Sequence, residues 1–332
     1  MIRAVVMQML IAGLVGLLGI KAASGQSMSA YRSLELRLDT RMQALGGSHA
    51  VQLDPTISSA WVNPALLAAV ERSFETLPFS SSISLYPAAI RQFQSSIAGE
   101  STLAGQAVRW SATVGCLCYG EMDKRDAAGQ TIGSFRNYDM DGSLTIATRL
   151  SDQWRVGGSA TMMVSSIGTA TSSLVAFRAG VIWSSPTRPL QLGATVRNVG
   201  VAVTTYDEQR EPLPFRASVG ASYKPSDFPA RLTLTTELQP RDGIVHDDAS
   251  VITVLGGAEF LISERMTFRL GYNHGDQRSL QTARRLDASG LRFGLGFGFQ
   301  DSEVDITMAS WGRLGSVIHL HYALPLKSLL PL

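Results

Sequence analysis

The chain has 332 residues, of which 45% are hydrophobic and 17% charged, with 31 glycines and a net charge of +2. So balanced a charge gives no sign of a nucleic-acid partner, and so apolar a composition excludes a disordered chain. What remains is one or two soluble domains, or a single membrane barrel of middling size.

Met1-Ile2-Arg3, an apolar run from Ala4 to Ile20 and the small residues Ala22-Ala23-Ser24-Gly25 have the order of a secretory signal peptide. Residues 1–25 are therefore expected to be removed, a retained helix being the other reading of the run. Beyond it no continuous apolar stretch reaches the length of about 18 residues that a helical span needs, so membrane residence would require a barrel. Residues 26–78 do not alternate. Within Ser58–Val70, Asn63 is placed to cap a short helix and Pro64 to occupy its first position, ahead of Ala65. Such a segment is expected to plug a lumen or close one mouth, a periplasmic tail being the alternative.

From Phe79 to Leu324 large apolar residues recur at every second position. In Ser289–Gln300 they are Leu291, Phe293, Leu295, Phe297 and Phe299, separated by Arg292, Gly294, Gly296 and Gly298. No helix follows these glycines, so they are not a phosphate-cradling loop; period two makes the run a strand. Its length matches the roughly 9–11 residues of a tilted membrane strand. Comparable runs begin near residues 79, 91, 107, 141, 154, 175, 190, 215, 231, 252, 266, 302 and 315, about fourteen strands in all. The even number suits a bacterial outer-membrane barrel. Tight connections at Ser151–Gln153, Ser184–Pro189, Pro225–Pro229 and Ser263–Arg265 fall between long ones at Glu121–Gly133, Val199–Leu213, Pro240–Ser250 and Gly275–Asp287. This is the parity of periplasmic turns and extracellular loops, which a soluble sandwich does not predict. The fold class expected is an all-β transmembrane antiparallel barrel over 79–324, with an N-terminal helical plug over 26–78 and a tail at 325–332.

Nine arginines lie on the face opposite the apolar one: Arg109, Arg149, Arg155, Arg178, Arg197, Arg216, Arg231, Arg269 and Arg292. Each would cost roughly 2–4 kcal/mol facing lipid at the membrane midplane, so they are assigned to the lumen. Glu237, Glu259, Glu303 and Asp305 share that face but are too few to pair them all. The plug, water or an anionic ligand must supply the remaining partners. Cys116 and Cys118 sit two apart on the apolar face, where they pack as small hydrophobes. No metal site, cofactor or catalytic set is expected; inward His319, His321 and Asp305 are the nearest approach to one.

Two segments, Arg41–Leu67 with Leu45-Gly46-Gly47 and Asn63-Pro64-Ala65, and Val196–Leu234 with Arg197-Asn198-Val199-Gly200, Glu211-Pro212-Leu213-Pro214-Phe215 and Phe228-Pro229-Ala230-Arg231, resemble PorQ-type outer-membrane proteins of the type IX secretion system. The first set is similar to elements shared with PorV. The departures are Pro55 after Asp54, where an acidic pair is usual, and an end at Pro325–Leu332 without a terminal aromatic. The resemblance implies a 14-strand FadL-like barrel and a non-enzymatic role in exporting and attaching proteins with C-terminal sorting domains. It also implies partners of the PorZ, PorU and PorV kinds besides outer-membrane lipid. The loop at Glu211, Pro212, Leu213, Pro214 and Phe215 is then a candidate partner surface, since proline lowers the ordering entropy of binding; a rigid lead into the next strand is its other reading. The alternative function is a FadL-like transporter of hydrophobic small molecules.

Overall fold

A computed structural model of the protein describes residues 31–36, 39–207, 211–239, 251–280 and 288–326. The expected signal peptide, the loop at 240–250 and the last six residues of the tail lie outside them.

The described residues form fourteen strands: β1 Pro78–Leu85, β2 Arg91–Leu103, β3 Gln106–Arg125, β4 Thr131–Arg149, β5 Trp154–Ile167, β6 Ala170–Ser184, β7 Leu190–Thr204, β8 Arg216–Tyr223, β9 Ala230–Gln239, β10 Val251–Leu261, β11 Met266–Asn273, β12 Leu291–Phe299, β13 Ser302–Ser310 and β14 Ser316–Pro325. Each pairs antiparallel with its neighbours in sequence, and β1 closes on β14 in the register Pro78↔Pro325 to Leu85↔Ile318. The alternation explains the closure. Along β4, Asp139, Asp141, Ser143 and Thr145 are buried inside, while Met140, Leu144 and Ile146 stand outside with half or more of their surface exposed. A polar inside and an apolar outside invert a soluble barrel, and only lipid makes that outer face favourable.

At the end holding both strand termini the hairpins are tight, for example Ala104–Gly105 between β2 and β3; the other end carries the larger connections. Two of the expected long loops prove shorter, because the ladder continues past the membrane-length core. β3 and β4 run on as a hairpin around residues 126–130, and β7 extends to Thr204. The β11–β12 connection begins with a short helix, His274–Leu280.

The N-terminal segment fills the lumen. It contains α1 Ser33–Leu36, α2 Thr40–Ala44 and two 3-10 helices, η1 Ile57–Trp61 and η2 Pro64–Ala69. The side chain of Asp39 caps α2 through the Met42 amide (2.9 Å) and also accepts from the Ser58 hydroxyl (2.6 Å), tying α2 to η1. Asn63 caps η2 through the Ala65 amide (3.0 Å). This turn is 3-10 rather than the short α-helix its sequence suggests. Asn63 Nδ2 is held by the Ala50 carbonyl (2.6 Å) and the Pro64–Ala65 backbone lies against the barrel wall, so the chain follows contacts rather than its own ladder.

Glycine makes that contact available. A Cβ at Gly157 would lie 2.5 Å from the Pro64 carbonyl carbon, and one at Gly294 would lie 2.5 Å from Ala44 Cβ. Gly257 and Gly271 likewise face the Leu45–Gly46 backbone. Met42, Val51, Val62, Leu66 and Ile182 then form one of the buried apolar clusters that join plug to wall. Gly46 and Gly47 themselves have φ of +117° and +133°, which side-chain-bearing residues rarely adopt.

Replacing Gly157 with Val should displace the plug at a cost of roughly 1–3 kcal/mol. Limited proteolysis of the folded barrel in detergent should then cut within residues 39–70 much faster than in the wild type. Gly142→Val, at an outward position with nothing within 4 Å of its Cβ, should leave the digestion pattern unchanged.

Candidate functional site

The polar lumen is organised around Glu259 on β10, which is 1% exposed. Arg41 of α2 grips it with two bonds, Nε to Oε2 (2.7 Å) and Nη2 to Oε1 (2.6 Å). Arg231 of β9 reaches Oε1 (2.7 Å) and Arg269 of β11 reaches Oε2 (2.6 Å). Three guanidinium groups therefore converge on one carboxylate. Asp305 pairs with the far side of Arg269, Glu303 lies 4.0 Å from it, and Asp54 of the plug lies 3.5 Å from Arg231. Glycine at 296 is part of this construction, because a Cβ there would meet Arg269 Nη1 at 2.8 Å and Asp305 Oδ1 at 2.7 Å.

A second cluster lies toward the larger connections. Glu237 of β9 pairs with Arg197 of β7, with Arg216 of β8 (3.2 Å) and with the Ser48 hydroxyl (2.9 Å). Arg216 also pairs with Glu35 of α1. Across the lumen Arg292 of β12 is held by Gln43 of α2 and by Asp276 of α3, the helix His274–Leu280. Between these groups lies a polar cavity of about 560 Å³, floored by the Gly47–Ser48 turn and roofed by α3.

The remaining arginines of the inner face serve the plug or the rim. Arg178 stacks on the Trp61 ring at 3.6 Å, and Arg109 donates to the carbonyls of Leu67, Ala68 and Val70 while lying over Phe74 at 4.4 Å. Arg155 bonds Ser184 (2.7 Å), and Arg149 is exposed at the rim. The plug-side partners Glu35, Arg41 and Asp54 carry no periodicity and were not among the expected residues. Nor was Asp139 of β4, bonded by Tyr119 (2.8 Å) and by Ser165.

The loop at Glu211–Phe215 folds over the plug. Leu213 packs with Tyr31, Leu34 and Trp61, and the buried Pro214 accepts from Asn198 Nδ2 (2.9 Å). Only Glu211, Pro212 and Phe215 keep partial exposure, so the loop's centre is a lid contact rather than an open surface. No catalytic set assembles among the described residues: His319 shares a hydrogen bond with Ser84 (2.7 Å), but the Asp305 carboxylate faces Arg269. Nor do three potential metal ligands converge among them.

The outer wall has a recess of about 700 Å³ over β6–β9. Trp154, Trp183, Leu192 and Leu234 rim it, and Gly193, Ala194, Gly220 and Ala221 form a thin floor. Cys116 and Cys118 lie on the same lipid side of β3, their sulfurs 3.2 Å apart.

Two measurements probe the network. Glu259→Gln leaves the buried guanidinium groups of Arg41 and Arg269 and the half-buried one of Arg231 short of their counterion, and should cost about 3–5 kcal/mol in denaturant unfolding of the purified barrel. His49 of the plug tests pH. Burial lowers its pKa to about 4, aided by nearby Arg292 and opposed by the Leu45 carbonyl and Glu237. The neutral ring donates from Nε2 to Leu45 O (2.8 Å) and accepts at Nδ1 from Thr235 (3.1 Å). The unfolded imidazole binds a proton near pH 6.5 while the folded one does not, so docking weakens as pH falls from 6.5 toward 4. Between pH 7 and pH 5 the loss should be about 2 kcal/mol, read as faster proteolysis of the plug. Burial raises the Glu35 carboxyl and acts in the opposite sense, so the control is His49→Gln, which keeps both hydrogen bonds and should abolish the imidazole's contribution.

No protein-family model matches the sequence, and no curated protein matches it. Among solved structures, a deltaS2S3 mutant of TodX, a monoaromatic hydrocarbon channel, superposes with a TM-score of 0.60 at 11% identity, covering 87% of this chain and 98% of that one. TodX is the toluene transporter of Pseudomonas putida. The CymD monoaromatic hydrocarbon channel gives 0.59 at 12% identity over 88% and 98%, and a Pseudomonas aeruginosa FadL homologue 0.54 at 12% over 87% and 98%. The resemblance to PorQ-type proteins thus rests on the short motifs alone, and what this chain shares with its structural neighbours is a fold: the closed 14-strand antiparallel barrel of the FadL-like kind.

Proposed function

We propose that the protein is an outer-membrane barrel that moves hydrophobic small molecules through a lateral route in its wall. The observation that carries this reading is the apolar recess over β6–β9, open toward the bilayer and large enough for a small aromatic compound. Its floor is lined by glycine and alanine in place of larger side chains, and Ala50 and Val51 of the plug lie directly behind Gly193. Trp154 and Trp183, paired in register, mark the interfacial edge of the recess. The fold shared with hydrocarbon channels points the same way.

A second reading follows the motifs Leu45-Gly46-Gly47 and Asn63-Pro64-Ala65 and the ion-paired lumen. In it the barrel is a non-enzymatic component of the type IX secretion system, with PorZ, PorU and PorV-like partners and cargo bearing C-terminal sorting domains. The ion pairs between Arg41, Arg216 or Arg231 and their partners across the plug–wall boundary suit a barrel that stays closed and acts as a platform.

A deletion strain separates the two. Uptake of toluene-sized apolar compounds should fall and be restored by the wild-type gene, but not by a double variant Ala194→Trp, Ala221→Trp that fills the recess. The surface proteome should stay unchanged. Unchanged uptake, with sorting-domain proteins lost from the surface and accumulating in the periplasm, would overturn transport in favour of secretion.

A further inference from the structure

The chain has two cysteines, and both stand at one point of the outer wall, where neither reading above uses them. Cys116 and Cys118 are thiols on β3 with their sulfurs 3.2 Å apart. The ladder is regular through both: Cys116 pairs with Phe93 and Met140, and Cys118 pairs with Arg91 and Tyr138. They face away from the lumen, since Leu117 between them is buried inside with Tyr86 and Val317. Just beyond Cys118 the β3–β4 ladder shifts register, and a Cβ at Gly120 would lie 3.6 Å from the Ala89 carbonyl in the β1–β2 turn. From Glu121 onward the strand is exposed. The partly exposed thiols therefore stand at the outer water boundary, within reach of dissolved ions.

Strand geometry decides what such a pair can do. Positions i and i+2 on one face of a strand lie about 6.7 Å apart. A disulfide needs its Cβ atoms about 3.5–4.5 Å apart, so these thiols cannot bridge without breaking the local ladder. A metal ion held by two thiolates at about 2.3 Å each sets the sulfurs about 4.6 Å apart, which each side chain reaches by a shift of about 0.7 Å. The backbone need not move. No third His, Cys, Asp or Glu joins the pair among the described residues, which removes the four-ligand sets that zinc takes. The cross-strand neighbours are soft or cationic instead: Met140 brings a thioether opposite Cys116, and exposed Arg91 stands opposite Cys118.

We propose that Cys116 and Cys118 form a binding site for a soft monovalent metal ion, Cu(I) or Ag(I), at the outer rim of the barrel. Thiolates select such ions, and two of them suffice where harder ions require more ligands. On binding, each thiol gives its proton to water and each sulfur donates an electron pair to the ion, with no change of oxidation state. Two thiolates and one monovalent cation leave one negative charge, and Arg91 supplies the opposite charge from the neighbouring strand. The site does not depend on whether apolar compounds cross the wall at β6–β9.

The test is an anaerobic titration of the purified, reduced full-length barrel with the Cu(I)–bicinchoninate complex, followed by loss of the complex's colour. One equivalent of Cu(I) should pass to each barrel. Cys116→Ala and Cys118→Ala should each weaken the uptake by about tenfold or more, because a single thiolate cannot chelate. Both positions are outward and partly exposed, and retained heat-modifiable electrophoretic mobility checks that each variant folds. Zn(II) in about hundredfold excess should not displace the copper. Cu(I) left with the chelator, uptake unaltered in both variants, or displacement by Zn(II) would overturn the proposal. So would finding fewer than two titratable thiols when the isolated protein is unfolded without reductant, which would make the pair a disulfide.

Discussion

The packing of plug backbone against a glycine-lined wall is the constraint from which the rest of this structure follows. A barrel with an apolar exterior must keep its polar residues inside, and an interior of arginines needs counterions at fixed positions. Wall carboxylates such as Glu237, Glu259 and Asp305 provide some of them, and a segment lying within hydrogen-bond distance of the wall provides more. Inward glycines at 157, 257, 271 and 294 allow that approach, and Arg41 then reaches Glu259 while Glu35 and Asp54 reach Arg216 and Arg231. Larger side chains at those glycines would hold the plug away and leave the charges facing one another across a wet lumen.

The ion pairs are specific rather than simply adhesive. A buried pair gains little over an apolar replacement but becomes costly when one member is removed, so the network favours a single position of the plug. Glu259 shows how: Arg231 and Arg269 hold its carboxylate in place on the wall, and any shift of α2 along the lumen takes Arg41 out of reach of it. Apolar clusters around Trp61 and Leu66 supply the non-directional part of the attraction. The molecule divides accordingly into a region of dense pairing around Glu259 and a polar cavity beneath α3.

That division separates two recesses in space. The recess over β6–β9 is apolar and faces lipid, whereas the cavity under α3 is polar and faces the larger connections. The plug lies between them, with Ala50 and Val51 behind the recess and Gly47 and Ser48 beneath the cavity, so a five-residue stretch of the plug spans the two.

Sequence alone determined the barrel, because period two is a local property imposed by having lipid on one side and a polar lumen on the other. The strand count, the inward register of Arg197, Arg269 and Arg292, and the cap at Asn63 were all legible in this way. The glycines of Leu291–Phe299 were legible as strand residues, but not as the room left for Ala44 and the Arg269 guanidinium, because nothing nearby in sequence records what occupies the far side of a wall. The plug carries no period, so its route, the grip of Arg41 on Glu259 and the burial of Leu213 and Pro214 were decided only by tertiary structure. Each of these contacts joins residues far apart in the chain, and its geometry exists only once the barrel has closed around the segment that fills it.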